Sequence, residues 1–65
     1  MHVKLSERER QVVELIHENL TYSEIAIKLE IGYETVRTYV NRLKDKTGKR
    51  SRGDLAKWFS RKYKA

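Results

Sequence analysis

The sequence predicts an all-α domain of four short helices, and three observations carry that reading. Apolar residues recur at helical spacing in four separate stretches. Small polar residues followed three positions later by an acid stand at the starts of three of them. The three glycines, at 32, 48 and 53, mark boundaries, and proline is absent. With 65 residues, 38% of them hydrophobic, the chain accommodates one domain over residues 1–65 and one thin core. So short a chain buries only about 60% of the surface its unfolded form exposes. That leaves little stability for a strained catalytic cleft and favours a function carried on a shallow surface.

Ser6-Glu-Arg-Glu9 has the form of a capping box, in which the serine oxygen accepts a backbone N–H and the glutamate reaches back, so a first helix starts at Glu7 and runs to about residue 18. Val12, Val13, Leu15, Ile16 and Leu20 supply its apolar face, and Asn19 is the expected terminator because asparagine tolerates left-handed backbone. Thr21-Tyr-Ser-Glu24 repeats the capping pattern and opens a second helix over 22–29, with Ile25, Ala26 and Leu29 inward. Glu30-Ile31-Gly32 is a three-residue connector in which Ile31 plugs the core and Gly32 caps the next helix. A third helix spans 33–46 and stops at Thr47-Gly48, with Lys44 and Lys46 favouring the negative end of its dipole. After the basic loop Lys49-Arg50-Ser51-Arg52, Ser51 and Asp54 cap a fourth helix over 52–63 whose apolar side is Leu55, Trp58 and Phe59. A short helix, a brief turn and a longer helix make the helix-turn-helix plan.

Charge is segregated along the chain. Residues 1–36 hold four Lys/Arg against seven Asp/Glu, net −3, whereas residues 37–65 hold eleven against two, net +9. That asymmetry suggests a polyanionic partner for the second half. The absence of cysteine removes disulfides, thiolate metal sites and thiol nucleophiles together. No apolar run approaches the roughly 18 residues of a membrane span, and Met1-His2-Val3-Lys4 leads into polar sequence without a signal-peptide apolar region. A soluble, cytoplasmic protein that engages no membrane is expected.

On a helical wheel the third helix gathers Val36, Val40, Leu43 and Thr47 in one sector. The opposite side carries Glu34, Arg37, Thr38, Asn41, Arg42 and Asp45, with Tyr39 and Lys44 at its edges and Thr35 near the start. A polar outer face is common to surface helices, but this one has the chemistry of base recognition. In the major groove Arg matches guanine, Asn matches adenine, and the methyl of Thr meets that of thymine.

The segments LSERERQVVELI (Leu5 to Ile16), EIAIKLEI (Glu24 to Ile31), ETVRTYV (Glu34 to Val40) and KRSRGDL (Lys49 to Leu55) stand in order and at matching spacing. Together they resemble the LuxR-type helix-turn-helix DNA-binding family of bacterial transcription regulators, across nearly all of residues 5–59. The resemblance implies that the third helix enters the major groove of double-stranded DNA and that a homodimer is often joined through the fourth helix; the alternative is a domain monomeric in isolation until DNA brings two copies together, and RNA polymerase is a further candidate partner. It places base contacts on Arg37, Thr38 and Asn41. Candidate phosphate contacts are Thr35, Tyr39, Lys44 and Lys46, with Tyr22, Ser23 and Lys28 of the second helix and Arg50 of the basic loop. Trp58 is either core or a dimer contact. Three positions depart from the family pattern: Gly32 replaces the usual Ser or Thr cap, Glu30 stands where glycine is common, and Tyr39 where histidine is common. Glycine caps nearly as well as serine, so the first departure costs a few tenths of a kcal/mol.

Rival readings have specific weaknesses. His2 and His17 lie on different segments, no Gly-rich phosphate loop exists, and the carboxylates sit at caps and on surfaces, so neither an enzyme nor a cofactor or metal site is expected. A sigma-factor promoter-reading domain resembles the first three helices, but the KRSRGDL segment and the fourth helix argue against it. A protein-interaction module using the fourth helix is the other alternative. A-form RNA has too deep and narrow a major groove for such a helix. Membrane binding would need Trp58, Phe59 and Tyr63 exposed on a basic amphipathic helix.

Overall fold

The structure, a computed structural model, describes residues 3–64, with side chains through Lys62. Four α-helices succeed one another: α1 (Glu7–His17), α2 (Tyr22–Leu29), α3 (Tyr33–Thr47) and α4 (Arg52–Phe59). A wider π-type turn, Ser60–Lys64, continues α4, so the expected fourth helix of 52–63 is regular only as far as Phe59. The described residues contain no strand.

Local chemistry sets the helix starts. The Glu9 N–H donates to Ser6 Oγ at 3.2 Å and the Ser6 N–H to Glu9 Oε1 at 2.8 Å. The Glu24 N–H donates to Thr21 Oγ1 at 3.1 Å and the Thr21 N–H to Glu24 Oε1 at 2.7 Å. Both expected capping boxes are therefore complete, and Ser51 Oγ accepts from the Asp54 N–H to start α4. Such side-chain caps contribute typically about 1 kcal/mol each. The start of α3 differs, for Gly32 provides no side-chain acceptor.

Helix ends obey an equally local logic. Asn19 adopts φ 71° as expected, and bonds from its N–H to Ile16 O and from Leu20 N–H to Leu15 O close a Schellman motif. Gly48, at φ 73°, closes α3 with a bond to Lys44 O. Glu30, noted above as standing where glycine is common, takes a conformation that was not foreseen. Its φ of 57° and ψ of 45° are left-handed, the Ile31 N–H reaches back to Ala26 O, and the tight corner between α2 and α3 depends on this conformation. The position favours glycine because a left-handed backbone crowds any Cβ against the adjacent carbonyl.

One core joins all four helices. Val12, Val13, Leu15 and Ile16 of α1 meet Ile25 and Ala26 of α2, Val36, Val40 and Leu43 of α3, and Leu55, Trp58 and Phe59 of α4. Leu20, Leu29 and Ile31 pack at its margin, as does Tyr39. The face of α1 that carries these residues lies between α3 and α4, and α2 rests chiefly on α3. His17 and Phe59 pack ring against ring at 5.6 Å where α1 meets α4. Trp58 is 8% exposed and belongs to this core, so it is not an open contact for a second copy. Phe59 is likewise buried, and the Tyr63 side chain lies outside the described residues, so an exposed aromatic face on α4 has no support here.

Candidate nucleic-acid interface

The third helix is anchored on one side and bare on the other. Val36 and Leu43 are fully buried and Val40 nearly so, which fixes both the axis and the rotation of α3 against α1 and α2. Arg37, Thr38 and Asn41, the three expected base readers, are all exposed on one outer surface. Glu34 and Arg37 form no ion pair among the described residues, so the guanidinium is free to engage a partner. The Asn41 side chain makes no hydrogen bond among the described residues, leaving its amide donors and carbonyl acceptor available. The Thr38 hydroxyl donates to Glu34 O at 3.1 Å, one turn back, which fixes its rotamer while its oxygen can still accept.

The expected phosphate ligands divide into two groups. Ser23, Lys28, Thr35 and Arg50 are exposed, and Lys44 and Tyr39 are half-buried at the edges of the α3 face. Arg42 lies over the Tyr39 ring at 5.7 Å, a cation–π arrangement that holds a second guanidinium beside the three readers. The wheel placed Arg42 on the outer side, but only the structure shows what orients it. Tyr22 is half-buried between the Tyr33 ring, 6.3 Å away, and the Arg52 guanidinium, 5.2 Å above its ring. Arg52 also donates to Leu20 O, so one side chain from α4 holds the corner between α1 and α2. Sequence reasoning missed that role because the two residues lie 32 positions apart.

Lys46 departs from its expected role. Its ammonium lies 2.7 Å from Oε1 of Glu9 and 3.3 Å from Lys4 O, turned toward α1 and away from the outer face. Glu9 is 3% exposed, the one buried charged residue of the described core. Burial pushes the Glu9 carboxyl up, but the hydrogen bonds from Lys46 and Ser6 outweigh it and hold the group below the usual glutamate value. Glu9 thus closes a cap and receives the last turn of α3 at once. Lys46 is paired with that carboxylate, and turning it away would leave a buried charge without its partner.

No group of three or more metal-ligating side chains clusters among the described residues, and no helix there is long and apolar enough to cross a membrane.

These features define a class: a small helix-turn-helix domain in which α2 and a short turn brace a third helix whose outer face is polar and open. The family model for GerE, described as bacterial regulatory proteins of the luxR family, matches residues 3–59. The chain belongs to the luxR family of bacterial regulatory proteins, a family of DNA-binding transcription regulators. Comparisons with curated proteins and with solved structures give no significant match.

Proposed function

We propose that the chain binds double-stranded DNA in a sequence-specific way, as the DNA-reading part of a transcription regulator, with α3 lying in the major groove. The observation that carries this reading is the simultaneous exposure of Arg37, Thr38 and Asn41 on a helix whose opposite face is locked into the core. A rigid mount matters because a bidentate base contact requires both partners in a fixed plane. Arg37 reads guanine, Asn41 reads adenine, and Thr38 offers its methyl to thymine. Lys44, Arg50, Lys28, Ser23, Thr35, Tyr22 and Tyr39 set register on the phosphates. The first turn of α3 has no side-chain cap, so its leading N–H groups are left to suit an anionic oxygen.

Two copies occupy symmetric half-sites about one DNA turn apart, brought together by the DNA. RNA polymerase is the machinery on which the bound regulator acts.

Selection of bound sites from random duplexes tests the reading: a defined consensus with paired half-sites is expected. Arg37→Ala then costs about 1–3 kcal/mol of discrimination at one base pair, whereas Lys44→Ala weakens all duplexes alike and lowers the salt slope by about one unit. Equal losses for Arg37→Ala on selected and random duplexes would refute the role of α3. A protein-interaction module, by contrast, would be indifferent to loss of Arg37 and Asn41.

A further inference from the structure

The outer face of α3 carries acid at its centre. Glu34, Thr38, Asn41 and Asp45 are spaced by four, three and four residues, so they follow one another along a single stripe of the helix. That stripe lies opposite Val36, Val40 and Leu43, and all four of its residues are exposed. A carboxylate on a surface that meets DNA is repelled by every nearby phosphate, so its presence there calls for a hydrogen-bond donor that the bases supply. Nothing in the domain uses the Glu34 carboxylate. It makes no ion pair and no side-chain hydrogen bond among the described residues, although Arg37 stands one turn away. Glu9 and Glu24, the third residues of α1 and α2, reach back to the cap N–H, whereas Glu34 is the second residue of α3 and forms no such bond. Its backbone is nevertheless firmly held. The Val36 N–H donates to Gly32 O at 3.2 Å and the Thr38 hydroxyl to Glu34 O at 3.1 Å, which closes the first turn of the helix around it.

We propose that Glu34 determines specificity at one base pair, its carboxylate accepting a hydrogen bond from the exocyclic N4 amine of a cytosine in the major groove and rejecting the other three bases there; the inference rests on the DNA-binding reading above.

The chemistry of the base edges selects cytosine. An ionised carboxylate only accepts, and cytosine presents a donor, N4, to the major groove. Guanine presents two acceptors, N7 and O6, and thymine an acceptor and a methyl group. Adenine sets its N6 donor beside the N7 acceptor, which a second carboxylate oxygen would oppose. Position selects Glu34 over Asp45. The first residues of a recognition helix approach the base edges, and Glu34 stands one turn before Thr38. Asp45 lies about 16 Å further along the axis at 1.5 Å per residue, more than the roughly 12 Å width of the groove. An acid in the first turn also complements the positive end of the helix dipole. That role is blind to DNA sequence, so base preference tells the two apart.

The test is selection of bound sites from random duplexes with wild type, Glu34→Gln and Glu34→Ala, followed by titration of each protein on four duplexes that differ only at the affected pair. Wild type should select cytosine at one position of the half-site and prefer it over the other bases by about 5–100-fold. Glu34→Gln should move that position to adenine, because glutamine offers the donor and acceptor that adenine N7 and N6 require. Glu34→Ala should accept all four bases there. Both variants should bind random duplexes more tightly than wild type, since a charge that repels phosphate is gone. The positions read by Arg37 and Asn41 should stay the same in all three proteins, which verifies that α3 is folded and seated. A consensus unaltered in both variants would overturn the proposal and leave the roles of Arg37, Thr38 and Asn41 standing. A loss of preference spread evenly over every position would overturn it as well, by reducing Glu34 to a structural part of the helix. Wild type that selects no consensus sinks both readings.

Discussion

Replacing Lys46 with alanine decides whether this cation serves the core or the DNA. The pair it makes with Glu9 is one-sided, since the carboxylate is 3% exposed whereas the lysine side chain is 41% exposed. A fully exposed pair would be worth about 0.2–1 kcal/mol. Breaking a fully dry pair would cost about 3–5 kcal/mol. With one partner open to water the cost falls between, near the roughly 1.5–3 kcal/mol of a hydrogen bond to a charged group. The Ser6 N–H, 2.8 Å from the same oxygen, stays in place and keeps the loss toward the lower part of that range. About 2 kcal/mol is expected, which in a domain of this size lowers Tm by about 8–16 °C.

Thermal and urea unfolding followed by far-UV circular dichroism would read it, in a cycle with Glu9→Gln to isolate the coupling between the partners. The salt slope of DNA binding should stay at its wild-type value, because an ammonium already held by Glu9 releases no counterion from DNA. The pH dependence has a definite sign. A carboxyl held below its unfolded value contributes stability above about pH 4.3, and that contribution disappears as pH falls through its folded value. Without Lys46 the burial that raises the Glu9 carboxyl meets less opposition, so acid unfolding should begin at higher pH. Additive single variants with losses under about 0.5 kcal/mol, together with a salt slope reduced by one unit, would show that Lys46 contacts phosphate and that the ion pair is incidental.

Three further substitutions probe the scaffold beneath the interface. Glu30→Gly should stabilise the domain by about 0.5–1 kcal/mol, since relief of a left-handed side chain exceeds the added freedom of the unfolded chain; a lower urea midpoint would contradict it. Gly32→Ser should add a few tenths of a kcal/mol by capping α3. A Cβ there meets nothing nearer than Thr35 Oγ1 at 3.8 Å, so a loss would point to a clash that the backbone does not show. Leu43→Ala, at a fully buried site, should cost about 2–5 kcal/mol and leave so small a domain largely unfolded at 37 °C. A cooperative melt at the wild-type temperature would mean that α3 is not mounted as described.

What could be read from sequence was what short-range chemistry controls. Ser6 with Glu9, Thr21 with Glu24 and Ser51 with Asp54 are each three residues apart, and each pair caps the helix it was expected to cap. The spacing of Val36, Val40 and Leu43 likewise set the buried side of α3 and left Arg37, Thr38 and Asn41 outside. Glu30 was singled out for standing where glycine is common, but its left-handed backbone was not foreseen because a glutamate carries no mark of that conformation. Lys46 looked like any cation at a helix end until docking of α3 on α1 set it beside a residue 37 positions earlier. Arg52 acquired its hold on Leu20 O and the Tyr22 ring only when α4 closed over the α1–α2 corner. Helix starts and inward faces were thus determined by the sequence alone, because hydrogen bonds and apolar periodicity act over one turn. The partners of Lys46, Arg52 and Trp58 were decided by tertiary structure, because burial selects among chemically equivalent side chains only after the helices meet.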